Sequence, residues 1–281
     1  VGRTAMNELT TEQFTRLRDL VCSNLGLFFE ESRSQYLQKR VEKRMEALSF
    51  NSAEDYIRHL RFHDPIGSEM QQFANLITTN ETYMFREFDQ LRAFSDHALP
   101  EVLETKKKKG DNRLRIWSAG CSTGEEPYTL AIILREVLHD TAAWNVEITA
   151  TDIDENALAR VRQGFYDQRS IRHVPAEYMD RHFRREDGHF RLRPETREMV
   201  VVEHLNLYDR TAMRAYKRFD FIFCRNVLIY FSDETRKAVV DYFYTALNMG
   251  GFIFLGHSES VGRISNAFKL VRLGEHLSYK K

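Results

Sequence analysis

The 281-residue chain is long enough for one large α/β domain with a smaller companion, and its 42% hydrophobic and 29% charged residues are those of a soluble globular protein. Forty-one basic residues balance forty-one acidic ones, which leaves no global field to draw the chain to nucleic acid or to an anionic membrane. No apolar run is long enough to cross a bilayer, so no direct membrane insertion is expected. Cys22, Cys121 and Cys224 lie far apart without CxxC or metal spacing, which together with the lack of a secretory signal predicts a cytoplasmic location. The ten histidines show no ligand pairing, so no metal is expected.

Leu17, Leu20, Val21 and Leu25 recur at helical spacing, as do Tyr36, Leu37, Val41 and Leu48. Ser52 is placed to cap a helix through Tyr56 and Leu60, and a further helical stretch runs from about Ile66 to Leu76. With apolar faces and no strand signal, residues 10–76 are assigned to a small all-helical N-terminal domain and residues 77–281 to a larger one. A helix around Phe88 to Leu103 and a solvated run, Lys106–Lys109, lead into a different rhythm. Leu114, Ile116 and Trp117 begin a strand that stops at Gly120, and Tyr128 through Leu138 returns to helical spacing. Val146 to Thr151 is a second strand, closed by Asp152, with a helix over Ala157 to Val161. The stretch Phe190–Val202 breaks the alternation, with turn signals at Asp187-Gly188 and Pro194, and residues 165–203 are expected as a small antiparallel β insert. Phe219–Cys224 is nearly continuously apolar, as buried parallel strands are, and Gly251–Leu255 is the last predicted strand. The alternation predicts an α/β fold with a doubly wound, Rossmann-like sheet.

The strongest local signal is the strand, Gly-rich turn and helix start in residues 117–127, WSAGCSTGEEP. Gly120 and Gly124 allow a ligand close to the backbone, but Glu125 and Glu126 occupy the helix start that a pyrophosphate would need. With GxGxxG absent, a dinucleotide is disfavoured, and a ligand cationic at one end, such as the sulfonium and ammonium of S-adenosylmethionine, suits the pair better. Asp152 stands where an acidic side chain in this architecture accepts hydrogen bonds from ribose hydroxyls, with Asp154 as the rival and a helix cap as the alternative role for either. Asn226, after the buried strand, either closes a turn or reads a ligand.

The segments TTNETYMFRE (78–87), WSAGCSTGEEPY (117–128), ATDID (150–154), FCRNVLIYF (223–231) and GHSES (256–260) together resemble the chemotaxis-receptor glutamate O-methyltransferase family, widely called CheR. They span nearly the whole chain in the family's order. The resemblance implies S-adenosylmethionine as cofactor, S-adenosylhomocysteine as product, and glutamate side chains of a chemoreceptor's cytoplasmic helical bundle as acceptor. It implies cofactor contacts from Asn80, Thr82 and Arg86, from Glu126 and Asp152, and from the pairs Asn206-Leu207 and Asn226-Val227 around the adenine. The family's β insert touches the receptor or a tethering peptide, and the short link Arg184–His189 argues against a pentapeptide tether here.

An ionised glutamate is already a nucleophile near neutral pH, so methyl transfer calls for positioning and desolvation rather than a general base. Arg86 is the candidate for orienting the acceptor carboxylate. Tyr230 either supplies a hydroxyl at the acceptor or packs beneath the sheet edge. On the N-terminal helices Arg40, Lys43 and Arg44 share one side, with Arg33 and Lys39 nearby, a basic face suited to a glutamate-rich coiled coil. Two other readings compete: a methyltransferase for a nucleic acid or a small molecule, and a regulatory module that keeps the cofactor pocket without turnover. Arg225-Asn226-Val227-Leu228 in place of a Pro-Pro-Tyr element disfavours DNA amino-methylation. Retention of Arg86 with the rest of the pocket set disfavours the regulatory module.

Overall fold

The computed structural model describes residues 9–138, 143–260 and 265–281. The chain divides into one unit running to Thr79 and including Tyr230–Thr235, and a second comprising Asn80–Ile229 and Arg236–Lys281.

The first unit is helical: α1 (Thr11–Leu25), α2 (Ser34–Leu48), α3 (Ala53–Phe62) and α4 (Ser68–Ile77). Thr10 starts α1 with a reciprocal cap, accepting from the Gln13 N–H at 3.2 Å while its own N–H donates to Gln13 Oε1 at 3.1 Å. Each helix buries one stripe, for example Phe14, Leu17, Val21 and Leu25 on α1 and Leu37, Val41 and Met45 on α2. Among these apolar side chains lies an ion pair. Arg44 grips buried Glu69 with Nε at 2.8 Å and Nη2 at 2.6 Å, and Tyr56 donates its hydroxyl to Glu69 at 2.8 Å. Arg44 therefore does not belong to the basic face expected of it. Its guanidinium neutralises an internal carboxylate that would otherwise stand unpaired.

In the second unit α5 (Phe88–Ala93) continues through a π-helical turn, Phe94–Ala98, into α6 (Leu99–Lys109). The run Lys106–Lys109, expected to be solvated, is the last turn of α6, where cations suit the helix's carboxyl end. Lys106 is buried, with Nζ 3.0 Å from both Asp111 and Asp220.

After α6 come β1 (Arg113–Ala119), α7 (Glu125–Val137), β2 (Asn145–Asp152) and α8 (Glu155–Gln163). Next are β3 (Phe165–Tyr166), α9 (Gln168–Ile171), α10 (Ala176–His182), β4 (Phe183–Glu186), β5 (His189–Leu192) and α11 (Pro194–Arg197). The chain closes with β6 (Val200–His204), α12 (Arg210–Met213), β7 (Phe219–Cys224), α13 (Asp233–Ala246), β8 (Leu247–Leu255), β9 (Lys269–Leu273) and β10 (His276–Lys280).

The seven-stranded sheet has the order β6-β2-β1-β7-β8-β10-β9, with the first five strands parallel and β10 and β9 antiparallel additions. The chain winds outward from β1 in both directions, so the Rossmann-like expectation is met, with its switch point between β1 and β7. The core is aromatic on both faces. Phe94 of the π-helical turn stands edge-on to Phe221, Phe223 and Phe254 with centroids 5.0, 5.2 and 5.9 Å away, each pair contributing roughly 0.5–1.5 kcal/mol beyond its burial. Trp117 packs against Tyr216, Phe219 and Phe243.

The second sheet, β3-β5-β4, is antiparallel and joined by the two-residue turn Asp187-Gly188 with φ of 48° and 76°. That is the left-handed geometry that matches strand twist in tight hairpins. Two features depart from expectation here. Pro194 opens the short helix α11 rather than a turn, because proline suits a first helical position. Val200–His204 pairs in parallel with β2 as the edge strand of the large sheet, so this part of 165–203 lies outside the small sheet.

Candidate functional site

The carboxyl ends of β1, β2, β6, β7 and β8 share one edge of the sheet, and the motif residues sit there. β1 ends at Ala119, and the turn after it is left-handed at Gly120, Ser122 and Gly124 with φ of 82°, 50° and 96°. A Cβ on Gly120 would lie 2.4 Å from Val227 Cγ2. The turns after β1 and β7 therefore meet at the switch point with room for hydrogen only.

Asp152 at the end of β2 accepts the Ser122 N–H on Oδ2 at 2.7 Å and the Asp154 N–H on Oδ1 at 2.9 Å. Backbone donors, Ile153 among them, thus fix its plane. Asp154 caps α8 through the N–H groups of Asn156 and Ala157 at 2.9 and 3.1 Å. It also accepts from Asn80 Nδ2 at 2.6 Å, and Ser122 Oγ donates to Asn80 Oδ1 at 2.8 Å. Asn80 thereby ties its own segment to the Gly-rich turn and to β2. The segment then runs through half-buried Thr82 to Phe85, whose N–H donates to Thr129 Oγ1 at 3.1 Å.

Glu126 accepts from Ser118 Oγ at 2.7 Å and from Arg225 Nη1 at 3.3 Å. Burial pushes its carboxyl above the ordinary range, against the opposing pull of the Arg225 guanidinium and the Ser118 hydroxyl. Burial likewise raises Asp152 against its backbone donors. Glu125 points elsewhere, bonding Thr123 Oγ1 at 2.6 Å and Ser170 Oγ at 3.0 Å. Buried Arg225 donates to Glu126, to Glu87 Oε2 at 3.3 Å and to the Arg86 carbonyl. The Arg86 side chain itself donates to the Glu81 carbonyl at 3.1 Å.

Asn206 folds back on the chain, its Oδ1 accepting the Tyr208 N–H at 2.9 Å, and Leu207 is buried. The Leu205 N–H donates to the Asp152 carbonyl at 3.0 Å, which sets this pair beside β2. Asn226 is left-handed, φ 61°, and its N–H donates to Glu259 Oε2 at 2.8 Å. The same oxygen accepts the Gly256 N–H at 2.7 Å.

Asn80, Thr82, Arg86, Gly120, Glu126, Asp152, Asn206, Leu207, Asn226 and Val227 all belong to this second unit. Tyr230 does not: it ends a short 3-10 turn, Leu228–Tyr230, and groups with the helical unit, its carbonyl accepting the Phe28 N–H at 2.8 Å. In that unit Arg40 Cζ lies 3.6 Å from the Tyr36 ring centroid and the side chain donates to the Leu76 carbonyl at 3.4 Å, while Lys43 is exposed. Sequence reasoning gave no role to Ser118, Ser122 or Arg225, and a structural rather than a chemical one to Glu259. For Arg225 the signal was present, a charged residue directly after a buried strand whose one polar member is Asp220.

The chain matches the family model described as CheR methyltransferase, SAM binding domain, over residues 80–276, and the CheR methyltransferase, all-alpha domain, over residues 12–78. It belongs to the CheR methyltransferase family. "Chemotaxis protein methyltransferase 2" of Vibrio cholerae is 38% identical over 98% of this chain and 96% of its own length. The "Chemotaxis protein methyltransferase" of Borreliella burgdorferi is 32% identical over 90% and 89%, and that of Escherichia coli 31% over 93% and 89%. The CheR chain is thus an S-adenosylmethionine-dependent methyltransferase of chemotaxis. The edge residues fit that cofactor. Asp152 and Glu126 are carboxylates held near a glycine turn, acceptors for hydroxyls and for an ammonium, and burial raises both above the ordinary carboxylate range. Cys121, inside the same turn, is buried with its thiol pushed well above the usual value, so it serves as a small turn residue. Among the described residues no helix is long and apolar enough to cross a membrane.

Proposed function

We propose that the chain methylates glutamate side-chain carboxylates on chemoreceptors, forming methyl esters and releasing S-adenosylhomocysteine. The observation that carries this reading is Arg86. Among the described residues its guanidinium makes no ion pair, while its carbonyl is held by the buried Arg225 that also holds Glu126. A cation left free for a carboxylate is thereby fixed through one side chain to the edge proposed to hold the cofactor.

Bound S-adenosylmethionine would supply an electrophilic methyl group on a sulfonium. Asp152 would hold the ribose hydroxyls, Glu126 the cationic end, and Asn206-Leu207 with Asn226-Val227 the adenine. Asn80 and Thr82 would shape the wall between them. The acceptor carboxylate oxygen would take that methyl by forming a C–O bond in place of the C–S bond, whose electron pair would stay with sulfur, and no proton transfer would be needed. Arg86 would orient that carboxylate, and the loss of water around it would sharpen its nucleophilicity. The names of the relatives support a chemotaxis substrate, and exposed Lys39 and Lys43 with Arg40 on α2 offer a glutamate-rich bundle a basic face. The cytoplasm, where receptor methylation regions reside, is the proposed location. The two-residue turn of the small sheet disfavours a pentapeptide tether.

The test is transfer of labelled methyl from S-adenosylmethionine to membranes bearing the source organism's receptors, followed by mild base. Base-labile label that Arg86→Ala abolishes supports the ester and the role of Arg86. Cofactor binding without receptor labelling would refute the acceptor.

A further inference from the structure

Beyond Arg86, the surface beside it carries a second guanidinium, Arg172, that no carboxylate answers among the described residues. Tyr83, half-buried in the segment between Asn80 and Arg86, has Arg172 Cζ 4.4 Å and Arg86 Cζ 5.9 Å from its ring centroid, and the His173 ring 5.0 Å away. Arg172 and His173 follow α9, both are exposed, and the Met84 N–H donates to the Ser170 carbonyl at 2.8 Å, so the two stretches are laced together. The nearby acids are spent. Glu81 pairs with Arg169 at 2.7 Å, and Asp167 caps α9 through the Ser170 N–H at 2.8 Å. Among the described residues Arg172 makes no ion pair, so two uncompensated guanidinium groups converge on one ring.

Stability alone does not favour that convergence, because like charges repel and each would be better hydrated apart. A guanidinium lying on an aromatic face keeps its in-plane N–H donors outward and has already given up side-chain freedom, so it takes a carboxylate with little further entropy loss. We propose that Tyr83, Arg172 and His173 extend Arg86 into a docking surface for the acidic protein segment that flanks the glutamate being methylated. This inference rests on the glutamate acceptor proposed above and adds a second place, on the methyltransferase domain itself, where the substrate's charge is read. Arg172 is on this account a binding residue, with no part in the bond changes.

The experiment is receptor methylation by full-length Arg172→Glu and Arg172→Lys variants across a series of salt concentrations, with S-adenosylmethionine affinity measured alongside by calorimetry. Arg172→Glu is expected to raise KM for receptor by about tenfold at low salt and to flatten its salt dependence, with kcat and cofactor affinity within about twofold of the parent. Arg172→Lys, which keeps the charge and loses the planar fork, should fall between them. Receptor label with KM unchanged in Arg172→Glu overturns this inference alone. The absence of base-labile label with the unaltered protein overturns the acceptor reading and this inference with it.

Discussion

Glu259 holds Asn226 in a left-handed turn. Its Oε2 accepts the N–H groups of Asn226 and Gly256 at 2.8 and 2.7 Å, and its Oε1 accepts the Ile229 N–H at 3.3 Å. One carboxylate thus closes the turn after β7 onto the end of β8, and a Cβ on Gly256 would come within 2.8 Å of Asn226 Nδ2. Glu259→Ala leaves these donors unanswered, at about 1–3 kcal/mol for each that stays buried. The expected outcome is a lower melting temperature with cofactor affinity reduced about tenfold, a loss of roughly 1.4 kcal/mol. Calorimetry that finds parental affinity would show that the turn keeps its shape unaided.

Asp152 is fixed by backbone N–H groups before any ligand arrives, so Asp152→Ala removes a preset acceptor and frees the Ser122 N–H at the same time. Hydrogen bonds to a charged group are worth about 1.5–3 kcal/mol, which predicts a loss of cofactor affinity of roughly ten- to a hundredfold. Affinity near the parent's would place the ribose elsewhere.

The raised carboxyls give opposite pH signatures with and without cofactor. In the free protein Glu126 and Asp152 contribute most to stability below the ordinary carboxylate pKa, and that contribution is lost as pH rises through their raised values. Cofactor binding needs the ionised forms, so affinity should fall as pH drops through the same raised values, by up to about tenfold per pH unit for each proton taken up. A titration of affinity from pH 8 downward should show the fall beginning above the range of an exposed carboxylate. Glu126→Gln should make that fall shallower, and an unaltered profile would acquit Glu126.

On the helical unit, the exposed cations and the internal one should separate cleanly. Arg44→Ala strands buried Glu69 and is expected to cost about 3–5 kcal/mol, read as a drop in melting temperature. Lys39→Glu with Lys43→Glu should leave the melt unchanged and raise KM for receptor. If the lysine pair changes nothing in KM, α2 is not the face that meets the bundle.

The strands β1, β2 and β7 and the end of β8 were legible because buried parallel strands are nearly continuous apolar runs, as in Phe219–Cys224, where all six residues are buried and Asp220 alone is polar. β9 and β10 were not legible. Lys269–Leu273 and His276–Lys280 interleave charge with apolar residues at the sheet's edge, and their hairpin rests on Gly274 at φ 61°. Arg44 was misplaced because helical spacing gives a side and not a neighbour: its partner Glu69 comes from α4, twenty-five positions along the chain. Gly120 and Asp152 were chosen on turn chemistry and strand ends, Glu126 over Glu125 and Asn226 as a ligand contact by the family resemblance, and the structure brings all four to one edge. What spacing could not supply was the web behind them, because Ser122, Arg225 and Glu259 act on groups distant in sequence.

Arg225 reaches Glu126 and the Arg86 carbonyl from the interior, and its remaining Nε is buried with no partner among the described residues. A displacement at either contact is passed to the other, so the Gly-rich helix start and the segment ending at Arg86 move as one piece. In a lineage of such proteins the chemistry would then be inherited whole or lost whole. Divergence in what is recognised is left to side chains standing outside that piece, on surfaces where substitution disturbs neither the donor nor its aim.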